Sequence, residues 1–314
     1  LVKNDYLVQP FSDRDMAYFL APFGIRAIGE HAANRRLLET AEAFVPDLVI
    51  VGHCDTITNK TLTEIRRMLP AVKITGCNND PLFVPENAAK IEQRCAVVDT
   101  MFVSTGVREL GRFTGLRAKL AHMPNPVDQA IESHDSSQHD QLEHDLIFCS
   151  KSRDYSNRDA LAADVREAVG NELNFFTPGN FGVPGVWGRD YDLALANSKM
   201  GLNLNRQEGL DWYSSARMAQ MGGNGILLFT HASSGFERLF PTESLVYFRS
   251  RDDLIDSLRT FNSDNAMRRE WAARTRAFFH QQINSTLYAR DIVERSLDLQ
   301  PSHAYVWHEV ELGF

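Results

Sequence analysis

The sequence predicts an α/β protein made of two doubly wound, Rossmann-like domains that face each other across a cleft and are followed by a C-terminal helical segment. Three observations carry this. Short, largely apolar runs recur at 48–51, 200–204 and 226–229, as expected for parallel strands covered on both faces. Stretches of helical period alternate with those runs, the grammar of βαβ units. Polar or Gly-rich turns close them, as in Gly52-His53-Cys54-Asp55 and Gly222-Gly223-Asn224-Gly225. In such folds ligands sit outside the carboxyl ends of the strands.

Taken in order, residues 6–11 read as a first strand and 12–23 as a helix capped by Ser12 and closed by Gly24. Residues 26–29 read as a short strand, and 34–44 as an amphipathic helix broken by Pro46. Strands follow at 48–51, 72–76, 100–104 and 119–123, separated by helices at 61–69, 87–94 and 107–113. The segment 129–144 is rich in Ser, His, Asp and Gln and reads as a solvated linker. The alternation then resumes, with strands at 145–149, 173–177, 200–204, 226–229 and 245–248. Helices are expected at 157–169, 191–197, around Arg217 and Gln220, at 252–260 behind a Ser250 cap, and along 265–297. The domains implied are 1–128, the acceptor side, and 145–314, the donor side with the terminal helices, joined by 129–144.

Composition narrows the function. The 314 residues carry a net charge of −8, which argues against a broad nucleic-acid surface. Four cysteines show neither CxxC spacing nor a His pattern, so neither a disulfide framework nor a zinc site is expected. No apolar run reaches the ~20 residues of a membrane span, and the opening residues lack a signal-peptide pattern. The expected location is cytoplasmic, with room for peripheral membrane contact. Two acidic triplets, Asp13-Arg14-Asp15 and Asp190-Tyr191-Asp192, open expected helices and read as first-turn acids rather than metal ligands.

The stretch 198–240 is the most informative. It contains Ser198-Lys199, Leu202-Asn203, Arg206, then Arg217-Met218-Ala219-Gln220, Gly225-Ile226-Leu227-Leu228, and Gly235-Phe236-Glu237-Arg238-Leu239-Phe240. Glu243, Val246-Tyr247-Phe248 and Asp253-Leu254-Ile255 continue the pattern. In order and spacing these blocks resemble the C-terminal domain of the CgeB/YkvP-like glycosyltransferases, a group of the GT-B type. The first half resembles that group more loosely, through residues 46–51, 99–105 and 123–128. The resemblance implies a glycosyltransferase that moves a sugar from a nucleotide-sugar donor to a glycan, lipid-linked or protein acceptor, as in polysaccharide biosynthesis. It further implies a metal-independent, retaining reaction with no cofactor. The group commonly carries Glu where Gln220 stands, to accept from ribose hydroxyls; Gln keeps one carbonyl acceptor and gains two donors.

Departure of a nucleoside diphosphate leaves negative charge that Arg, Lys and helix N-termini can stabilise. The donor-side candidates are Lys151, Arg153, Arg158, Lys199, Arg206 and Arg217 for phosphate, Gly179 for close backbone approach, Glu208 for sugar hydroxyls and Gln220 for ribose. His53, Asp55 and Asp80, at strand ends of the first half, are the candidates for proton transfer at the acceptor; a histidine held by local hydrogen bonds is the other reading of His53. Two alternatives to a transferase stay open: a non-catalytic two-lobed module that binds nucleotide or sugar, and a sugar-nucleotide epimerase.

Overall fold

A computed structural model describes residues 1–150 and 156–308. The chain divides into two compact units: Leu1–Met123 together with the chain from Thr286 onward, and Pro124–Ser285.

In the first unit, α1 (Asp13–Phe19) and α2 (Arg26–Phe44) precede β1 (Leu48–Val51), α3 (Asn59–Met68), β2 (Lys73–Asn78), α4 (Pro85–Cys95), β3 (Thr100–Val103), α5 (Val107–Leu110) and β4 (Lys119–His122). The strands lie side by side in chain order, all parallel, with Val49 opposite Ile74, Gly76 opposite Met101 and Phe102 opposite Ala121. Leu62, Ile65, Ile74, Ile91 and Val103 fill its core. The first acidic triplet does open a helix, with Asp13 and Asp15 in the first turn of α1. Asp13 also accepts from the Thr56 hydroxyl (2.7 Å) and the Cys54 thiol (3.1 Å), which fastens α1 to the loop after β1.

Two expected strands are absent. Residues 6–11 form no regular element; Pro10 cannot donate to a ladder. Residues 26–29 are the first turn of α2. Gly29 explains why: a Cβ there would lie 2.0 Å from the Ala17 carbonyl oxygen, so a bare backbone lets α2 cross α1 at this point.

The second unit runs β5 (His144–Ile147), α6 (Asn157–Val169), β6 (Phe175–Phe176), α7 (Arg189–Ala196), β7 (Ser198–Asn203), α8 (Ala216–Gly223), β8 (Leu227–His231), β9 (Val246–Phe248), α9 (Arg251–Ser263) and α10 (Asn265–Gln282). Its parallel sheet has the order β6-β5-β7-β8-β9. Leu146 pairs with Phe175 on one side and Met200 on the other. The winding therefore reverses at β5, and the crevice between the carboxyl ends of β5 and β7 is a topological switch point. Phe148, Leu202, Phe229 and Leu254 build the core beneath it.

The helix expected along 265–297 is two helices, α10 and α11 (Ser285–Ser296). The break has a partner: Val127 N–H donates to the Ile283 carbonyl (3.0 Å) and the Val127 carbonyl accepts from Ser285 N–H (2.8 Å). Past that break the chain joins the first unit. The Ser296 and Thr75 hydroxyls are 2.6 Å apart, and Lys119 pairs with Asp298 at 2.5 Å. The expected division, with all of 145–314 in one domain, differs from this.

Residues 129–144 are not a free linker. Arginines of α10 donate to their main-chain carbonyls: Arg268 to Ser136 (3.2 Å) and His139 (2.7 Å), Arg269 to Ser137 (2.8 Å), and Arg276 to His134 (3.1 Å). The Ser136 N–H donates in turn to the Asn224 carbonyl (2.9 Å). The segment is thus solvated along much of its side-chain surface but held by its backbone at 134–139. Among the described residues no helix is long and apolar enough to cross a membrane, and all four cysteines are free thiols.

Arg268 is 1% exposed, and Arg268→Ala removes the donors for two carbonyls of this segment. Its expected cost is about 3 kcal/mol, read as a lower denaturant midpoint; an unchanged midpoint would show that the guanidinium does not hold the segment.

Candidate functional site

The switch point is built around Arg217. Ser215 caps α8, accepting from Met218 N–H at 3.3 Å, and sets Arg217 in the first turn. From there the guanidinium spans the crevice. Nη1 donates to the Cys149 carbonyl beyond β5 (3.3 Å) and Nη2 to the Leu204 carbonyl beyond β7 (2.5 Å). Its Cζ lies 5.6 Å from the Phe148 ring centre. Nε is buried without a partner. Among the described residues no carboxylate pairs with it. Burial, and next the neighbouring Arg158, push its pKa down to about 10. A buried, unneutralised cation at a strand end is a site for an anion.

Arg158 lies at the start of α6, with its side chain 13% exposed. Burial lowers its pKa, Asp159 opposes the shift and Arg206 adds to it. Arg217, Arg158 and Arg206 thus form a chain of mutually repelling guanidiniums. Asp159 organises the loops around them. It closes a capping box with Ser156, accepting from the Ser156 N–H (2.9 Å) and hydroxyl (2.5 Å), and it accepts from Asn180 Nδ2 (2.9 Å) in the loop after β6. Its Oδ1 also lies 3.9 Å from Arg158 Nε, so Arg158 has a carboxylate beside it whereas Arg217 has none among the described residues.

A pocket of about 430 Å³ opens here, lined by Arg217, Arg158, Ser150, Gly179, Trp187 and Tyr191 among others. That volume suits a ligand larger than a single sugar. Gly179 has φ +84°, and a Cβ would meet the Ser150 carbonyl oxygen at 2.6 Å, so glycine is required at this wall. Tyr191 reaches from α7, and its hydroxyl lies 3.1 Å from Gln220 Oε1.

Of the residues expected from sequence, Arg158, Gly179 and Arg217 come together in this pocket. Arg206 joins through its field on Arg158, and Gln220 through Tyr191. Lys199 does not join. It stands near the amino end of β7, opposite the ligand side, where its ammonium binds Asp145 at 2.8 Å. Lys151 and Arg153 lie outside the described residues. Glu208, on the loop after β7, sits 3.8 Å from His231 Nδ1 at the end of β8. Desolvation raises its pKa to about 7, against the opposing N–H of Asn205. His53, Asp55 and Asp80 line a separate, smaller cavity of the first unit. There His53 Nδ1 is 3.5 Å from Asp80, and Asp55 pairs with Arg14 at 2.6 Å. Sequence reasoning missed Asp159, Trp187 and the pocket role of Tyr191. The spacing Ser156-Asn157-Arg158-Asp159 was a readable capping signature for the first.

Residues 158–294 match the family model described as "Glycosyl transferase-like". The match spans the whole wall of guanidiniums, from Arg158 to the end of α10 and into α11. No curated protein matches the chain. Solved structures resemble it at low identity. The Anabaena protein HepE in complex with UDP and glucose has a TM-score of 0.60 at 12% identity over 89% of this chain and 85% of its own. Sucrose-phosphate synthase from Thermosynechococcus elongatus gives 0.55 at 10% identity, over 84% and 77%. A trehalose-6-phosphate synthase, studied for glycosyl transfer with retention, gives 0.54 at 13% identity, over 88% and 80%. The fold is that of GT-B glycosyltransferases.

Glu208 supplies a pH marker. A carboxyl whose folded pKa stands above its unfolded value binds its proton more tightly when folded. That contribution is present at low pH and is lost as pH rises from about 4.5 to about 7. The wild type therefore loses stability relative to Glu208→Gln across that window. Thermal melts of both proteins from pH 4.5 to 7.5 check this; parallel melting curves would contradict it.

Proposed function

We propose that the protein is a glycosyltransferase of the CgeB/YkvP-like group that takes a nucleotide-sugar donor in the pocket of its second unit. The observation that carries this reading is the buried Arg217, fixed between the carbonyls of Cys149 and Leu204 with no carboxylate paired to it among the described residues. Arg158 and Arg206 extend the positive field. A diphosphate supplies the missing negative charge. HepE, of similar fold, holds UDP and glucose, and the proposal places a nucleoside diphosphate in the corresponding role here.

In this reaction the bond between the anomeric carbon and the diphosphate oxygen breaks, and its electron pair leaves on that oxygen. The three guanidiniums stabilise the growing charge, the task a metal ion performs in other transferases. Because Arg217 is already held by two carbonyls, little reorganisation is needed as the charge develops. The acceptor hydroxyl bonds to the anomeric carbon and gives up its proton. Retention at that carbon is proposed by likeness to the group. Gln220 takes the ribose side, its carbonyl shared with Tyr191 and its amide donors turned to the hydroxyl oxygens. Glu208 serves the sugar hydroxyls, and His53 with Asp80 serves the acceptor. The acceptor is a glycan, lipid-linked or protein hydroxyl.

The test is a panel of nucleotide sugars with the folded protein, followed by calorimetric binding and by release of nucleoside diphosphate. At least one donor binds and turns over. Arg217→Ala weakens nucleoside diphosphate binding on the order of 100-fold, as expected for loss of a buried charge partner, with the fold retained by circular dichroism. A folded protein that ignores every donor, or an Arg217→Ala variant of undiminished affinity, rejects the assignment.

A further inference from the structure

The first unit contains a second cavity, of about 220 Å³, at the carboxyl ends of β1 and β2. Its acidic groups are already partnered. Asp55 is paired with Arg14 (2.6 Å) and Asp80 faces His53 (3.5 Å). Its cations are not. Lys90 and Arg94 stand one turn apart on α4, on the same face of the helix, and both line the cavity. Neither makes an ion pair among the described residues. Arg94 is nevertheless fixed in place: Nη2 donates to the carbonyls of Ile57 (3.0 Å) and Cys54 (3.4 Å). Its Nη1 is buried and has no hydrogen-bond partner. Burial lowers the Arg94 pKa, the mark of a cation that has lost water without gaining an anion.

We propose that this cavity binds the oxyanion of a small acidic sugar, a phosphate monoester or a carboxylate, through Arg94 and Lys90. Arg94 offers a pre-positioned N–H that has no other acceptor. Lys90 adds a point charge at the exposed rim. Asn78 lines the same cavity and supplies an amide for the hydroxyls of the ligand. The volume is half that of the donor pocket and below the ~300 Å³ at which drug-sized ligands begin, so it selects a single sugar unit over a nucleotide. As the acceptor of a glycosyl transfer, this ligand rests on the donor-site reading above; the anion site itself rests only on the first unit's geometry.

Calorimetric titration of the full chain with glucose 6-phosphate, glucuronate and glucose tests it. At least one of the two acidic sugars binds tenfold or more tightly than glucose, and whichever binds identifies the source of the oxyanion. Lys90→Ala, on an exposed side chain with no partner to lose, weakens that binding at least fivefold. Arg94→Met, which keeps the aliphatic stem, weakens it further. UDP affinity is unchanged in both variants, so failure of the donor reading and failure of this one register separately. Binding of none of the three sugars, equal affinity for glucose and its phosphate, or a Lys90→Ala variant indistinguishable from the parent overturns the proposal.

Discussion

The pocket of the second unit depends on one buried guanidinium. Arg217 joins the loops after β5 and β7 by donating to a carbonyl of each, and so pins the mouth of the switch point where the sheet reverses its winding. Removing a guanidinium from water costs several kcal/mol unless a counter-charge is near. Among the described residues no carboxylate meets that cost. The protein holds the cation with neutral carbonyls and aromatic surface, which restrict its position without cancelling its charge. The guanidinium is therefore held in position while its charge stays uncancelled, a combination suited to recognising an anion strongly and in one orientation.

The rest of the unit makes that placement possible. Gly222 lets α8 lie against α10, since a Cβ there would fall 2.4 Å from the Phe279 ring. Gly201 does the same beneath α8, where a Cβ would meet the Met221 sulfur at 2.6 Å. Asp159 and Gly179 shape the opposite wall, one by collecting the donors of two loop segments and the other by admitting a backbone path closed to other residues. The apolar core positions the sheet; these close approaches position the charge.

Much of this was legible in the sequence. Apolar runs marked the strands because parallel strands covered on both faces must be apolar throughout. The strand-end rule, applied to Arg158, Gly179 and Arg217, selected residues that share one pocket. It failed for Lys199, which stands at the other end of its strand. Its true partner, Asp145, is 54 positions away on the adjacent strand, a relation that only strand register reveals. Residues 26–29 were misread because β-branched and small residues serve both strand and helix, and the close crossing at Gly29 that decides the matter is tertiary. The separation of the terminal helices was hidden for a similar reason, since the pairing of Val127 with Ile283 and Ser285 joins distant parts of the chain.

The segment 134–139 teaches something different. The three arginines of α10 grip it by its carbonyl oxygens, groups that every residue possesses. That grip fixes the spacing of the carbonyls, while packing constrains only part of the segment's side chains: Ser136 and Ser137 are 1% and 2% exposed, and Asp135 accepts from the Ser137 hydroxyl. In related chains the exposed positions 138 and 139 are expected to drift in residue identity while the loop length and the small polar residues at 135–137 stay fixed, so that a stretch of filler-like composition is held by its count as much as by its letters.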